Sequence, residues 1–258
     1  MTELIVRGPE PEIVEIRLNH PERLNAVDET TFGALGAALD EIAADPSVRV
    51  VLLGGEGRAF CAGANYKRHV TGERTATERE AYLQVLLDGC ERLRRFPLPI
   101  VAVVQGFAVG IGLEMALNCD FIVLGESAEL GLPEVAIGTF VGGGVTATLP
   151  RTIGLARAKR MVILGERLRG ADAVAAGLAT SCVPDAELAA AGLAVARRVA
   201  RQAPIPVRFA KRLLNEGLET GAARTAEHHA ILTCMASEDW AEGVRAFAEK
   251  RAPVYRGR

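Results

Sequence analysis

A chain of 258 residues, 49% hydrophobic and 24% charged, can bury one sizeable core or a core with an appended subdomain. A net charge of −2 and a pI of about 6.2 leave no basic footprint for nucleic acid. The acidic start "MTELIVRGPEPEIVEI" lacks a signal-peptide core, and no uncharged apolar run reaches the roughly 18 residues that span a bilayer, so a cytoplasmic protein without membrane contact is expected.

In chain order, residues 3–7 and 12–18 alternate apolar and polar, which predicts a strand pair turning at Gly8-Pro9. Asp28 is placed to cap a helix carrying Phe32, Leu35, Leu39 and Ile42 on one face. "VRVVLLGG" (48–55) reads as a buried strand with a glycine exit. A loop and a helix from about Thr77 to Arg95 follow, with Tyr82, Leu86 and Leu93 inward. "LPIVAVVQG" (98–106) reads as another buried strand, "GLEMALNC" as a short helix, and "DFIVLG" (120–125) as a third strand. This alternation predicts an α/β core built from βα units. Beyond Gly154 short helical segments dominate. Residues 186–247 read as almost wholly helical, interrupted by "APIPV" (203–207). The expected division is a core over 1–200 and a helical C-terminal region over 201–258.

The five cysteines are scattered and form no CxxC pair, which argues against a metal site or a disulfide framework and favours a reducing cytosol. No GxSxG or P-loop pattern is present. The four histidines (His20, His69, His228 and His229) read as surface residues, and Cys61 as a small core residue rather than a nucleophile.

Three stretches can carry chemistry. "RAFCAGANY" (58–66) offers small residues that let a ligand approach free main-chain N–H groups. In "GFAVGIGLE" (106–114) a glycine-rich backbone leads into a helix start, where N–H groups can meet a developing oxyanion. "SAELGLPEVAIGTFVGGG" (127–144) sets Glu134 after Pro133, with Glu129 starting an apparent strand and expected to be exposed. Glu114 or Glu134 alone would suit an arginine partner. Both sit in apolar settings beside glycine-rich turns, and two such carboxylates can divide acid and base roles.

In this order the three stretches resemble the crotonase (enoyl-CoA hydratase/isomerase) superfamily, over nearly the whole chain from "PERLNAVD" (21–28) to "FAEKRAPVYRGR" (247–258). The resemblance implies a crotonase-like ββα spiral core with a C-terminal helical trimerisation region, assembled as a homotrimer or homohexamer. It implies that the N–H groups of Ala64 and Ile111 form an oxyanion hole. Glu114 and Glu134 fall where hydratases carry their two acids. The implied reaction is reversible syn addition of water to a trans-2-enoyl-CoA, with no cofactor beyond the CoA that carries the substrate. Glu114 would activate the water and Glu134 would manage the proton at C2. Arg23, Leu24, Ala62 and Ala64 correspond to the CoA-binding segment, and Phe247 and Lys250 to a pair that reaches CoA from a neighbouring subunit. Two departures stand out: Ile111 where most relatives have glycine, and Asn65 where many have aspartate. The alternatives are an isomerase or a specialised hydratase of branched, cyclic or aromatic enoyl-CoA on the same scaffold. A non-catalytic acyl-CoA-binding protein and an RNA binder are further readings, disfavoured respectively by the paired glutamates and the acidic pI.

Overall fold

The computed structural model describes residues 2–65, 74–202, 204–216, 228, 231–233, 235–251 and 253. Strands β1 (Leu4–Glu10) and β2 (Ile13–Leu18) pair antiparallel. Their turn lies at Pro11-Glu12, not at Gly8-Pro9. The register shifts between Arg7 and Glu10, and β1 is the sheet's edge, so Pro9 sits in an edge strand where its missing N–H costs little.

Helix α1 (Glu29–Ala44) starts as the sequence predicts: the Asp28 carboxylate accepts from the N–H groups of Thr30 and Thr31 at 3.1 and 3.3 Å. Then come β3 (Val50–Gly55), α2 (Ala76–Arg95), β4 (Ile100–Val104) and β5 (Phe107–Val109). They are followed by α3 (Ile111–Leu117), β6 (Phe121–Gly125), β7 (Glu129–Gly131) and a 3-10 turn at Glu134–Ile137. Helices α4 (Val145–Ile153) and α5 (Leu155–Ile163) lead to β8 (Leu168–Arg169), α6 (Gly170–Ala175) and β9 (Ser181–Val183). The described part closes with α7 (Leu188–Ala200), α8 (Pro204–Glu216) and α9 (Glu238–Ala248). Pro204 opens α8 rather than breaking a helix, because the first turn needs no N–H donor there.

The larger sheet has the order β1-β2-β3-β4-β6-β9, parallel from β2 onward; the smaller has the order β5-β7-β8. The apolar run 98–106 holds one strand, β4 in the larger sheet, and β5 follows directly after it in the smaller. Between them Gln105 donates to the Gly55 and Ala59 carbonyls at 2.7 and 3.2 Å, which fixes the corner. The central strands β3, β4 and β6 are buried on both faces, so they read as continuous apolar runs. Val50, Leu52, Val101 and Val103 face α7, while Val51, Leu53, Ala102 and Val104 face the main core under α1, α2 and α3.

Two expectations are corrected. Glu129 is buried, not exposed: β7 points it inward and the guanidinium groups of Arg167 and Arg169 both grip it, holding its carboxyl below the usual range. His20 is not a surface residue: its side chain is only 12% exposed, lodged between Glu3 at 2.9 Å and Glu22 at 3.3 Å. His228 is half-buried, and His69 and His229 lie outside the described residues.

Candidate active site

The two small-residue loops meet where the sheets join. Cys61 donates to Phe107 O at 2.9 Å, and Val109 donates back to Cys61 O at 3.0 Å, so residues 61–64 run beside β5. On the other side Val27 donates to Gly63 O at 3.0 Å and Asn65 donates to Val27 O at 2.8 Å. Ala64 lies between these two bonds and takes part in neither. In extended backbone successive peptide groups alternate in direction, so its N–H faces away from Val27. That N–H has no hydrogen-bond partner among the described residues.

Gly110 and Ile111 form the second expected donor segment. Gly110 holds φ 58° and ψ −129°, a conformation closed to L side chains, and anchors to Gly131 O at 2.9 Å. Ile111 is the first residue of α3, so its N–H has no intrahelical acceptor. A Cβ built on Gly110 would lie 3.9 Å from Gly63 Cα, which shows how closely the two loops approach. The Ile111 side chain is buried and lines the adjoining pocket.

The two glutamates open into the same pocket from different elements. Glu114 follows one turn after Gly110 on α3 and is buried; its Oε1 accepts the Gly142 N–H at 2.8 Å. Glu134 begins the 3-10 turn after Pro133. It too is buried, and its Oε2 is enclosed without a hydrogen-bond partner. Burial pushes its carboxyl up to about 7, only partly opposed by a backbone N–H. It is therefore able to hold or release a proton near neutrality. Burial pushes the Cys61 thiol up to about 12, which removes it as a nucleophile.

The pocket itself measures about 70 Å³. Ala64, Ile111, Glu114 and Glu134 line one end. Tyr82, Leu83, Leu86 and Leu87 of α2 join Phe140, Ile231, Met235 and Trp240 around the rest. The inward face of α2 is visible in its periodicity. The last four arrive from distant sequence positions, with no local signal for the meeting. A groove of about 620 Å³ lies elsewhere, beside α7 and α8; Lys211 and Asp120 line it and neutralise each other across 2.7 Å.

The candidate CoA residues divide into two groups. Leu24, in the left-handed region at φ 53°, accepts the Ala62 N–H at 3.0 Å, and Arg23 beside it is exposed. The segment 23–24 is thus sewn to the 61–64 loop. Phe247, 64% exposed, and Lys250 stand at and just past the end of α9, outside the pocket lining. Asn65, the second departure, donates to Asp28 Oδ2 at 3.3 Å and so ties the loop to the start of α1.

A family model described as enoyl-CoA hydratase/isomerase matches residues 9–258. The chain belongs to the enoyl-CoA hydratase/isomerase family. It is 34% identical to the 2,3-dehydroadipyl-CoA hydratase of Escherichia coli K12, all of both chains being covered. It is also 34% identical to the mitochondrial enoyl-CoA hydratase of Pongo abelii, over 95% of this chain and 84% of that protein. The structure superposes with a TM-score of 0.87 on an enoyl-CoA hydratase from Mycobacterium avium subsp. paratuberculosis K-10, at 29% identity over 99% of each chain. The enoyl-CoA hydratase of Bacillus anthracis gives 0.80 at 32% identity over 100% of each. The enoyl-CoA hydratase/isomerase family thus accounts for the two-sheet spiral and for the C-terminal helices.

Proposed function

We propose that this chain hydrates short, apolar trans-2-enoyl-CoA thioesters to 3-hydroxyacyl-CoA. The observation that carries this reading is that two buried glutamates, on separate elements, face one pocket beside two N–H groups that have no hydrogen-bond partner among the described residues. Ala64 and Ile111 N–H donate to the thioester oxygen and stabilise the enolate as its charge develops, each worth on the order of 100- to 1000-fold in rate. Glu114, oriented by Gly142, takes a proton from water as the oxygen bonds to C3; protonated Glu134 gives its proton to C2. One proton enters the pair and one leaves, so the enzyme ends each turnover with the same proton count. An isomerase needs no second acid for water, and a binding protein needs no buried carboxylates at all.

The apolar lining and the volume of about 70 Å³ support a short acyl group without a terminal charge. Arg23, Leu24, Ala62 and Ala64 are proposed to hold CoA, with Phe247 and Lys250 completing its site across a trimer or dimer-of-trimers interface. The exposed apolar side chains of Leu155, Ile163 and Leu164 support such an assembly. No helix among the described residues is long and apolar enough to cross a membrane, and the four described cysteines are free thiols, which supports a reducing, cytoplasmic setting.

The test is hydration of crotonyl-CoA in labelled water by Glu114→Gln and Glu134→Gln. Each is expected to lose on the order of 100- to 10,000-fold in kcat. Near-wild-type turnover by either variant, or a wild-type product without labelled oxygen, overturns the assignment.

A further inference from the structure

We infer that Asn118 is a positioning residue for the Glu114 carboxylate, acting through the backbone of the Gly142–Gly143 loop; this rests on the hydratase reading above. Asn118 caps the C-terminus of α3, one turn beyond Glu114, and is only 3% exposed. Its Nδ2 donates to Glu114 O at 2.8 Å and to Gly143 O at 2.8 Å. Both partners are carbonyls, so the amide nitrogen must face them. Its Oδ1 is buried with no partner among the described residues. An orphan acceptor of this kind costs stability, and an apolar side chain of the same size would avoid the cost.

What the amide secures is the loop that holds the reacting group. Gly143 and Gly144 both have positive φ, 59° and 79°, and the loop lays bare backbone against Glu114. A Cβ built on Gly143 would lie 3.1 Å from Glu114 Cβ and 3.3 Å from its Oε2. The Gly142 N–H one residue earlier is the donor to Oε1. Asn118 thus closes a ring: α3 backbone, Asn118 amide, Gly143 carbonyl, Gly142 N–H, Glu114 carboxylate and back to α3. Without it no other hydrogen bond among the described residues ties Gly143 O, and the donor to Oε1 can drift.

Asn118→Leu removes both donated bonds together with the orphan oxygen. A merely structural asparagine predicts a lower melting temperature with the kcat of the folded protein unchanged. A positioning role predicts, at a temperature where the variant is fully folded, a kcat for crotonyl-CoA hydration lower by on the order of 10- to 100-fold, with KM within about twofold, whatever melting temperature the two stranded carbonyls leave. In a Glu114→Gln background the same change should cost nothing more, because the group it positions is gone. A kcat within twofold of wild type, a loss that tracks unfolding, or a full additional loss in that background overturns the inference. If Asn118→Leu does not fold, Asn118→Ala is judged by the same criteria. A Glu114→Gln variant that keeps full activity sinks the hydratase reading itself; an impaired Glu114→Gln with an unimpaired Asn118→Leu sinks only the positioning role.

Discussion

Gly110 and Glu134 meet at the end of the pocket: a Cβ built on Gly110 would stand 2.8 Å from Glu134 Oε1. The same glycine carries a backbone conformation that aims the Ile111 N–H. Gly110→Ala therefore meets two obstacles, strain at φ 58° and a carboxylate that must move. The expected result is a stability loss of about 1–3 kcal/mol. Hydration kcat should fall on the order of 100-fold through the displaced acid and donor. Melting curves and crotonyl-CoA kinetics measured together check this; full activity in a destabilised protein would show that Glu134 needs no such exact seat.

The raised Glu134 carboxyl, at about 7, gives kcat/KM a definite pH profile. Hydration needs one proton on the glutamate pair. As pH rises through about 7 that proton is lost, and kcat/KM for hydration should fall by about tenfold per unit beyond it. Dehydration of the 3-hydroxyacyl-CoA needs the same single proton. The overall equilibrium involves no proton, so the two profiles must be superimposable. A kcat/KM for hydration that stays level from about pH 6 to about pH 9 would refute a one-proton pair.

Glu134 also links pH to stability. Its carboxyl titrates near 4.5 when unfolded and near 7 when folded, so the folded state binds the proton more tightly. The stability this confers is present below pH 4.5 and is lost as pH rises through 7, amounting to about 3 kcal/mol at 1.36 kcal/mol per unit. Glu134→Gln is always neutral and escapes that loss. It should melt higher than wild type at pH 8 and close to it at pH 4.5. Equal melting temperatures at both pH values would mean that the carboxylate is solvated in the folded protein.

Ile111 separates the role of a backbone donor from that of a side chain. Its N–H is the proposed oxyanion donor, while its buried side chain occupies pocket space. Ile111→Gly keeps the donor and widens the cavity. For crotonyl-CoA kcat should change less than about tenfold, whereas kcat/KM for longer or branched enoyl-CoA should rise relative to it by about 10-fold or more, the scale of one or two methylene contacts. A substrate panel that keeps its ranking would free Ile111 of any part in specificity.

The parts of the fold legible in the sequence are those whose burial is local. Strands β3 and β4 are covered on both faces and so are written as apolar runs; Asp28 marks the start of α1 because a cap acts within three residues. The two loops that meet at the pocket show as small residues because backbone there packs closely against backbone. What failed depended on distant partners. Glu129 looked exposed because Arg167 and Arg169, 38 and 40 residues later, are invisible to alternation. Trp240 and Met235 reach the pocket from the far end of the chain, and the sequence shows only helix. Gly8-Pro9 carries a turn's residues, yet a register shift on an edge strand absorbs them.

Glu114 and Asp120 are the charges in an otherwise apolar stretch around α3, and they have opposite fates. Asp120 is neutralised: Lys211 donates to its Oδ2 at 2.7 Å and to the carbonyls of Leu98 and Leu93 at 3.0 and 3.3 Å, while Ile100 N–H reaches the same carboxylate at 2.8 Å. Burial raises the Asp120 carboxyl and Lys211 opposes that rise. Lys211→Met strands the carboxylate in the core and should cost about 3–5 kcal/mol. With its counter-charge gone, Asp120 holds a proton to higher pH than before. The deficit should therefore be smaller at pH 5 and grow toward pH 8, as folding comes to require burial of a charge that the unfolded chain hydrates. Asp120→Asn combined with Lys211→Met removes both charges, keeps an acceptor for Ile100 N–H, and should recover most of the loss. Thermal melts of the single and double variants at the two pH values test this. A double variant no more stable than Lys211→Met alone would place the lysine's contribution in its bonds to the Leu93 and Leu98 carbonyls, not in the ion pair.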